Sequence, residues 1–425
     1  MRAVLTVRSV IERDEVRCVY QPIVDLDSGC VVAVEGLARG PQGSPLESPA
    51  ALFAAAACEG VLTELDWACR AAAVRGALEA ELPASCRLFI NAEPSSFRIA
   101  APPELRELFE HAASRLSIVI EVTERAIAAD PASLLATLRR VRALGFDVAI
   151  DDVGAEPASL ALMPFIGPDV IKLDMDLVRN PVGRSTAALM SAVQADAERR
   201  GALILAEGIE TDVHLERALV AGAHLGQGWR FGRPGSLDAL TLPEHAMTTT
   251  RCTLTATAAT PWSLIEGTGV FRTTTKRLLM PMSDHMERLA LQDAGRSVLL
   301  SAFQNVSHFT PATARRYAEL AAHCALVGAL GVGMPSEPVA GVRGAHIDDR
   351  HPLVGEWTVA VIGPHHAAAL IAQDRGDTGP DGDRRFDYLI THDRDLVIAA
   401  GRSLMQHVEP VAVAGQVELM HASAA

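Results

Sequence analysis

Two adjacent aspartates, Asp151 and Asp152, end an apolar run in the segment 149-AIDDVG-154. Neighbouring carboxylates repel each other, so the pair needs a counter-charge unless water solvates both side chains. Other short apolar runs also end in acidic or amide residues, namely Glu35, Asn91, Glu121 and Glu207. Oxygen ligands without cysteine or histidine are typical of Mg²⁺ or Mn²⁺ sites. These residue types therefore predict a divalent metal site built from separated parts of the chain.

A site of this kind indicates hydrolysis of a phosphodiester. Two metal ions about 4 Å apart stabilise the attacking and leaving oxygens of an in-line displacement, and one of the paired aspartates can bridge them. Lys172 and Arg39 are the cations that the pattern brings near these oxygens. We expect Lys172 to orient the attacking water or stabilise charge on the phosphorane, and Arg39 to bind a phosphate oxygen in bidentate fashion.

Each of these residues, taken alone, also has a simpler explanation. A carboxylate or an asparagine after a strand commonly caps the next helix or lies in a solvated turn. A lysine such as Lys172 can be an ion-pair partner inside a barrel. The joint pattern favours the metal site, because so many oxygens with so few cations call for divalent ions.

The elements that position these residues alternate between strands and helices. Positions 134–141 and 189–197 have the apolar spacing of helices, and short apolar runs lie between such stretches: 31–34, 87–90, 118–120, 147–150, 170–173 and 203–206. This alternation predicts βαβ units and a parallel sheet, with Gln227 in a last strand. Polar residues after strand upon strand predict a β/α barrel, whose site lies at the carboxyl ends of its strands. An open doubly wound sheet would usually carry a glycine-rich phosphate loop, and none is present.

Composition and texture suggest two domains. The chain has 425 residues. After Pro234 the alternation of apolar runs and helical stretches gives way to a segment rich in threonine and alanine. We expect a barrel over 1–244, a linker over 245–261, a smaller α/β or α+β domain over 262–410, and a tail over 411–425. In the second domain, a helix is expected at 312–327, a glycine-rich turn at 328–333, and strands around 358–363 and 387–391.

Charge and composition exclude several classes of partner. The net charge of −14 argues against nucleic acid, whose phosphates would be repelled, and 4% aromatic residues leave little base-stacking surface. The seven cysteines form no C-x-x-C pair, which is typical of a reducing interior. No apolar run reaches the roughly 18 residues that a membrane span needs. We therefore expect a cytoplasmic protein.

The motifs around these residues resemble those of the EAL-domain family, the cyclic di-GMP phosphodiesterases. The similarity covers about residues 15 to 240, in the family's order: Gln21-Pro22-Ile23, Glu35-Gly36-Leu37-x-Arg39, Asn91, Glu121-x-Thr123-Glu124, Asp151-Asp152-x-Gly154, Lys172-Leu173-Asp174, Ala206-Glu207-Gly208-x-Glu210-Thr211 and Gln227-Gly228. The resemblance implies a TIM-like barrel that hydrolyses cyclic di-GMP to linear pGpG with two Mg²⁺ or Mn²⁺ ions.

The resemblance also implies a role for each residue. The metal ligands are Glu35, Asn91, Glu121, Asp151 and Asp152, and Lys172 and Glu207 act on the water, with Glu207 the general base or a partner of the second metal. The substrate-binding residues are Gln21, Arg39 and Gln227. Glu124, Asp174 and Glu210 hold the loop and the groups that surround the metal ligands. A homodimer through the region after the double aspartate is expected as well.

The segment after the double aspartate departs from the family. The family has D-D-F-G-T-G-Y-S-S-L where this chain has 151-DDVGAEPASL-160. Glutamate replaces a flexible glycine, and the proline after it stiffens the next position. The alternative to an enzyme is therefore a barrel that binds cyclic di-GMP with little turnover and signals to a partner protein. The retained metal carboxylates and lysine favour the enzyme.

The C-terminal domain is similar to the DICT sensory domain. The resemblance rests on Phe303-Gln304, Arg316-Tyr317, Trp357 and the segment 385-RFDYLITHD-393. It implies a sensor that regulates the barrel. A flavin-type light sensor is disfavoured, because this part has few aromatic residues and no cysteine motif. His365, His366 and His392 are expected to be solvated or core histidines and not a metal cluster.

Overall fold

The computed structural model describes residues 5–93, 96, 101–123, 129–155, 159–242, 258–292 and 295–408. Eight strands close into a barrel: β1 (Arg17–Asp25), β2 (Val31–Arg39), β3 (Arg87–Asn91), β4 (Ser117–Thr123), β5 (Asp147–Val153), β6 (Val170–Leu173), β7 (Leu203–Ala206) and β8 (Leu225–Gln227). The prediction of a TIM-like barrel followed by a smaller domain is confirmed.

Helices surround the barrel and fill the crossovers between its parallel strands. They are α1 (Val7–Glu12), α2 (Pro49–Glu59), α3 (Leu62–Glu79), α4 (Arg106–Arg115), α5 (Pro131–Ala143), α6 (Ser159–Ile166), α7 (Met175–Arg179), α8 (Arg184–Arg200) and α9 (Asp212–Val220). The two stretches with helical spacing in the sequence lie in α5 and α8.

The sequence pattern had suggested a wholly parallel barrel, but one strand runs the other way. The first strand, β1, is antiparallel to both of its neighbours, β2 and β8, whereas β2 to β8 pair in parallel. Only residues 26–30 connect β1 to β2, and so short a segment can form a hairpin but no crossover.

The second domain is built on a seven-stranded sheet in the order β12-β11-β10-β13-β14-β15-β9. Its strands are β9 (Arg272–Thr275), β10 (Val298–Asn305), β11 (Leu326–Val332), β12 (Arg343–His346), β13 (Glu356–Ile362), β14 (Ala367–Asp374) and β15 (Arg385–Thr391). Its helices are α10 (Lys276–Leu289), α11 (Pro311–Ala321) and α12 (Arg394–Met405). The expected strands at 358–363 and 387–391 correspond to β13 and β15.

Two expectations for this domain are corrected. The helix predicted at 312–327 ends at Ala321, and residues 328–332 of the predicted turn belong to β11. This strand lies between β10 and β12, both parallel to it, and is almost wholly buried. A buried parallel strand shows no alternation of apolar and polar residues, and the glycines at 328, 331 and 333 made this segment resemble a turn instead.

The two domains share an apolar cluster. It extends from the outer side of the barrel through α12 to one face of the second sheet. Most of the predicted linker, like Glu124 and the C-terminal tail, lies outside the described residues. Within the part of the chain that the structure describes, no helix has the length and apolar character needed to cross a bilayer.

Candidate active site

The site is the last layer of the barrel interior. All eight strands contribute to an apolar cluster inside the barrel that contains Ile23, Ala33, Phe89, Val119, Ala149, Val170, Leu205 and Leu225. Because side chains alternate along a strand, the residue two positions further towards the open end faces the same interior. Those residues are Glu35, Asn91, Glu121, Asp151, Lys172, Glu207 and Gln227 and, on the antiparallel β1, Gln21. A polar layer therefore covers the apolar one at the carboxyl ends of β2 to β8.

Hydrogen bonds hold Glu35 from two sides in this layer. Asn91 Nδ2 donates to Glu35 Oε1 at 2.9 Å, and Gln227 Nε2 donates to Glu35 Oε2 at 2.7 Å. Gln227 Nε2 also lies 3.3 Å from Gln21 Oε1. These contacts join β1, β2, β3 and β8, so the layer is continuous across the point where the barrel closes.

Lys172 is surrounded by carboxylates and is 1% exposed. Its Nζ atom lies 2.8 Å from Glu207, 2.9 Å from Glu121, 3.0 Å from Asp151 and 3.7 Å from Glu35. The chain contains two lysines against 36 arginines, and one of the two stands here. One ammonium cannot neutralise four carboxylates, so the layer carries an excess of negative charge.

A β-bulge turns both aspartates of the pair into the site. On β5, Ile150 pairs with Ile171 and Val153 with Leu173, so Asp151 and Asp152 together stand opposite Lys172. Asp152 takes a left-handed backbone conformation with φ of 56°. In a regular strand, adjacent side chains point to opposite faces. The extra residue and the left-handed turn remove this restriction.

The bulge brings three carboxylates close together. Asp151, Asp152 and Glu207 each offer one oxygen, and these oxygens lie within 4.8 Å of one another. This donor set fits a divalent cation, since hard carboxylate oxygens surround a point beside uncompensated negative charge. Among the described residues, it is the only such group of three or more acidic, histidine or cysteine ligands. The histidines at 365, 366 and 392 form no comparable group there.

The electrostatics of the layer reflect its excess charge. Burial raises the pKa of Glu207 to about 8, and the neighbouring Asp151 adds to the effect while Lys172 opposes it. Burial and the charge of Glu35 raise the pKa of Glu121 well above its usual range. Without a cation, Glu207 is therefore largely protonated at neutral pH.

Two groups of the layer are shifted towards their charged forms. Burial opposes the ionisation of Glu35, but Lys172 and the two amide donors outweigh it and lower the pKa of Glu35. Burial likewise disfavours the charged form of Lys172, yet the surrounding carboxylates raise its pKa well above the usual value.

The remaining predicted residues lie around this layer. Arg39 ends β2, four residues beyond Glu35 and on the same face of the strand, which puts it about 13 Å further along the strand towards the rim. Glu210 pairs with Arg179 of α7 at 2.6 Å, and Asp174 caps α7 through the Asp176 amide at 2.8 Å. These contacts fix the segments after β6 and β7. Glu124 lies outside the described residues.

A family model described as "EAL domain" matches residues 5–234, which is more than half of the chain. The chain belongs to the EAL domain family. Behind this EAL barrel, a second model, "Sensory domain in DIguanylate Cyclases and Two-component system", or DICT, matches residues 267–375. The two expected resemblances are thereby confirmed.

Relatives of the EAL barrel include proteins that are named as phosphodiesterases. The cyclic di-GMP phosphodiesterase RocR of Pseudomonas aeruginosa is 31% identical over 231 residues, covering 53% of this chain and 58% of RocR. The cyclic di-GMP phosphodiesterase NbdA of the same organism is 30% identical over 55% of this chain and 30% of NbdA. The matched segment is only a part of these longer relatives. In y4lL of Sinorhizobium fredii, for example, it covers 28% of the length.

Among solved structures, a manganese and cy-diGMP complex of Klebsiella pneumoniae BlrP1 is similar to the EAL barrel. Its sequence identity is 30% and its TM-score 0.47, over 52% of this chain and 56% of that one.

Sequence reasoning missed two features that shape the site. It treated Asp151 and Asp152 as neighbours with a common target, without the bulge that makes this possible. It also missed that Gly154 has φ of 107° and that a Cβ there would lie 2.4 Å from Leu177 Cδ1. The glycine after a double aspartate is the local signal for such a turn.

Proposed function

We propose that the EAL barrel hydrolyses cyclic di-GMP to linear pGpG in a reaction that depends on Mg²⁺ or Mn²⁺. The observation that carries this proposal is the polar layer around Lys172, in which four carboxylates face one ammonium. An anionic phosphodiester would be repelled by such a layer unless further cations neutralised it. The similarity to the cyclic di-GMP phosphodiesterases RocR and NbdA supports the choice of substrate.

The residues of the layer divide into ligands and groups that handle protons. Glu35, Asn91, Glu121, Asp151 and Asp152 would hold two ions, with Asp151 shared between them and Glu207 close to the second. Bound divalent ions polarise the phosphoryl oxygens and lower the pKa of a bound water.

In the proposed reaction, Glu207 accepts the proton of the attacking water, and Lys172 holds that water or the developing negative charge. Arg39 binds a phosphate oxygen near the rim, while Gln21 and Gln227 orient the substrate beside Glu35. Water adds to one phosphorus atom and the bond to the ribose oxygen breaks. That oxygen takes up a proton from the solvent, and Glu207 returns the proton of the attacking water to the solvent.

The test is incubation of the full chain with cyclic di-GMP and Mn²⁺ or Mg²⁺, with pGpG measured by chromatography. We expect product with the parent protein and at least a 100-fold lower rate, roughly, with Glu207→Gln, the usual scale for losing a general base. The exposed Glu216→Gln on α9 is the matched control and should keep the parent rate. Absence of product at high protein concentration contradicts the enzyme.

The second candidate is a receptor that binds cyclic di-GMP and passes the signal to a partner protein. The altered segment 153–159, directly after the metal ligands, supports it. Isothermal titration decides between the two: tight binding of cyclic di-GMP without product favours the receptor. In either case we propose that the chain forms a homodimer, which light scattering would test. We also propose that the DICT domain regulates the barrel, which comparison of the full chain with the barrel domain alone would test.

A further inference from the structure

The helix that follows the double aspartate is held by arginines at its carboxyl end. The last carbonyls of a helix have no partner within it, and cations there are favoured by the helix dipole. Arg142 of α5 donates to the Ile166 and Gly167 carbonyls, and Arg200 of α8 donates to the Pro164 carbonyl of α6. Both of these arginines belong to the barrel.

A third arginine reaches the same end of α6 from the other domain. Arg402 of α12 donates from Nε to the Phe165 carbonyl and from Nη2 to the Pro164 carbonyl, each at 2.9 Å. Its side chain is buried, so both hydrogen bonds lie away from bulk water. A rigid guanidinium that binds two adjacent carbonyls fixes the orientation of the helix as well as its position.

The neighbouring residue allows this close approach. A Cβ atom on Gly401 would lie 2.7 Å from Cε1 of Phe165, whose ring is fully buried. Glycine therefore lets α12 come near enough for Arg402 to reach the α6 carbonyls.

On its other side, α6 packs against β5, the strand that carries Asp151 and Asp152. Its described side chains from Leu160 to Ile166 are buried almost throughout. A fully packed helix transmits displacement because protein interiors are dense. The end of α6 that Arg402 holds is thus one rigid element away from the metal ligands.

We propose that Arg402 is a positioning residue for the metal site, through which the C-terminal domain holds α6 against β5 and sets the geometry of Asp151 and Asp152. This inference rests on the proposed function, because it takes the two aspartates as metal ligands. It gives the C-terminal domain a defined point of action on the EAL barrel.

The test compares Arg402→Ala with Arg343→Ala in the full chain. Arg343 is a matched control, since it also belongs to the C-terminal domain and donates to a barrel carbonyl, that of Ala129, away from α6. Mn²⁺ affinity is measured by the electron paramagnetic resonance of free Mn²⁺, and hydrogen exchange reports on residues 159–166.

We expect Arg402→Ala to bind Mn²⁺ about 10-fold more weakly, the scale of losing a supporting contact behind a metal ligand, and to speed exchange in α6. Arg343→Ala should match the parent in both measurements. Gly401→Ala, which presses on Phe165, should shift both in the same direction as Arg402→Ala. If Arg402→Ala does not fold, Arg402→Lys takes its place, because it keeps the charge but loses one of the two parallel donors.

Unchanged Mn²⁺ affinity in Arg402→Ala overturns the inference, whether or not α6 exchanges faster. Equal losses in Arg402→Ala and Arg343→Ala also overturn it, because they indicate general loosening of the domain contact. The two proposals can fail separately. A parent protein that produces no pGpG but loses Mn²⁺ affinity on Arg402→Ala contradicts the enzyme and supports the positioning role.

Discussion

The ammonium of Lys172 lies 2.8 Å from Glu207 Oε1 at the centre of the polar layer. Three more carboxylates surround the same ammonium, on β2, β4 and β5. The lysine is thus a fixed internal cation that makes a cluster of acidic groups tolerable inside a barrel. Its removal and the protonation of its partners give the first two predictions.

Lys172→Met should destabilise the metal-free barrel by about 3 kcal/mol or more, because it leaves buried carboxylates without their cation. Chemical unfolding of the chelator-treated protein measures the loss. Lys276→Met, at the other lysine, removes a surface ion pair with Asp381 and should cost below about 1 kcal/mol. Equal effects of the two substitutions would show that Lys172 is not the centre of the layer.

Mn²⁺ binding should release protons, because Glu207 has a pKa of about 8 in the metal-free site. The cation requires the ionised carboxylate. The affinity for Mn²⁺ should therefore rise by about 10-fold per pH unit below that pKa, for one released proton, and level off above it. Calorimetry in buffers of different ionisation enthalpy counts the protons released. In Glu207→Gln the affinity should be weaker and less dependent on pH; the same slope as in the parent would assign the proton to another group.

Substitutions at Asp152 should separate its charge from its backbone conformation. Asp152→Asn removes the charge but tolerates the left-handed conformation, so it should weaken Mn²⁺ binding and keep the thermal stability of the metal-free protein. Asp152→Ala should lose Mn²⁺ affinity and also about 1 kcal/mol of stability, because alanine lacks the short polar side chain that lets Asp and Asn adopt the left-handed conformation. Asp152→Gly provides the control for strain. If Asn and Ala are equally stable, the bulge carries no conformational preference.

The DICT domain also contains a buried carboxyl group with a raised pKa, that of Glu356. Burial raises the pKa of Glu356 from 4.5 to about 7, where its side chain accepts hydrogen bonds from Thr260 and the Trp262 amide. The folded state then holds a proton that the unfolded state has lost. Its contribution to stability is complete below 4.5 and is lost as pH rises through 7.

Glu356→Gln should therefore flatten the dependence of stability on pH across this window, by on the order of 3 kcal/mol. Unfolding by urea at several pH values, monitored by tryptophan fluorescence, measures the difference. The exposed Glu319→Gln is the control and should leave the pH dependence of the parent in place. A Glu356→Gln curve parallel to that of the parent would contradict the raised pKa.

Much of the barrel and its site could be predicted because the relevant information is local. Phe89 and Asn91, Val119 and Glu121, and Leu205 and Glu207 show the same spacing of two, an apolar residue followed by a polar one on the same face. This spacing does not depend on which strands pair with each other, because side chains alternate along every strand. The hairpin that reverses β1 and the buried strand β11 were missed. The apolar residues of β1 do not show whether the strand pairs in parallel or antiparallel, and the glycines of β11 are as typical of a turn as of a buried strand.

By itself, the sequence determined the barrel, its order of motifs and the seven strands that carry polar residues at their open ends, because strand periodicity is a property of neighbouring residues. Only the tertiary structure decided that Asp151 and Asp152 share a face, since a bulge is defined by two residues standing opposite one on another strand. It alone also brought Arg402 to Phe165 across 237 residues of sequence. Contacts of that kind depend on how whole domains pack, and no local spacing encodes them.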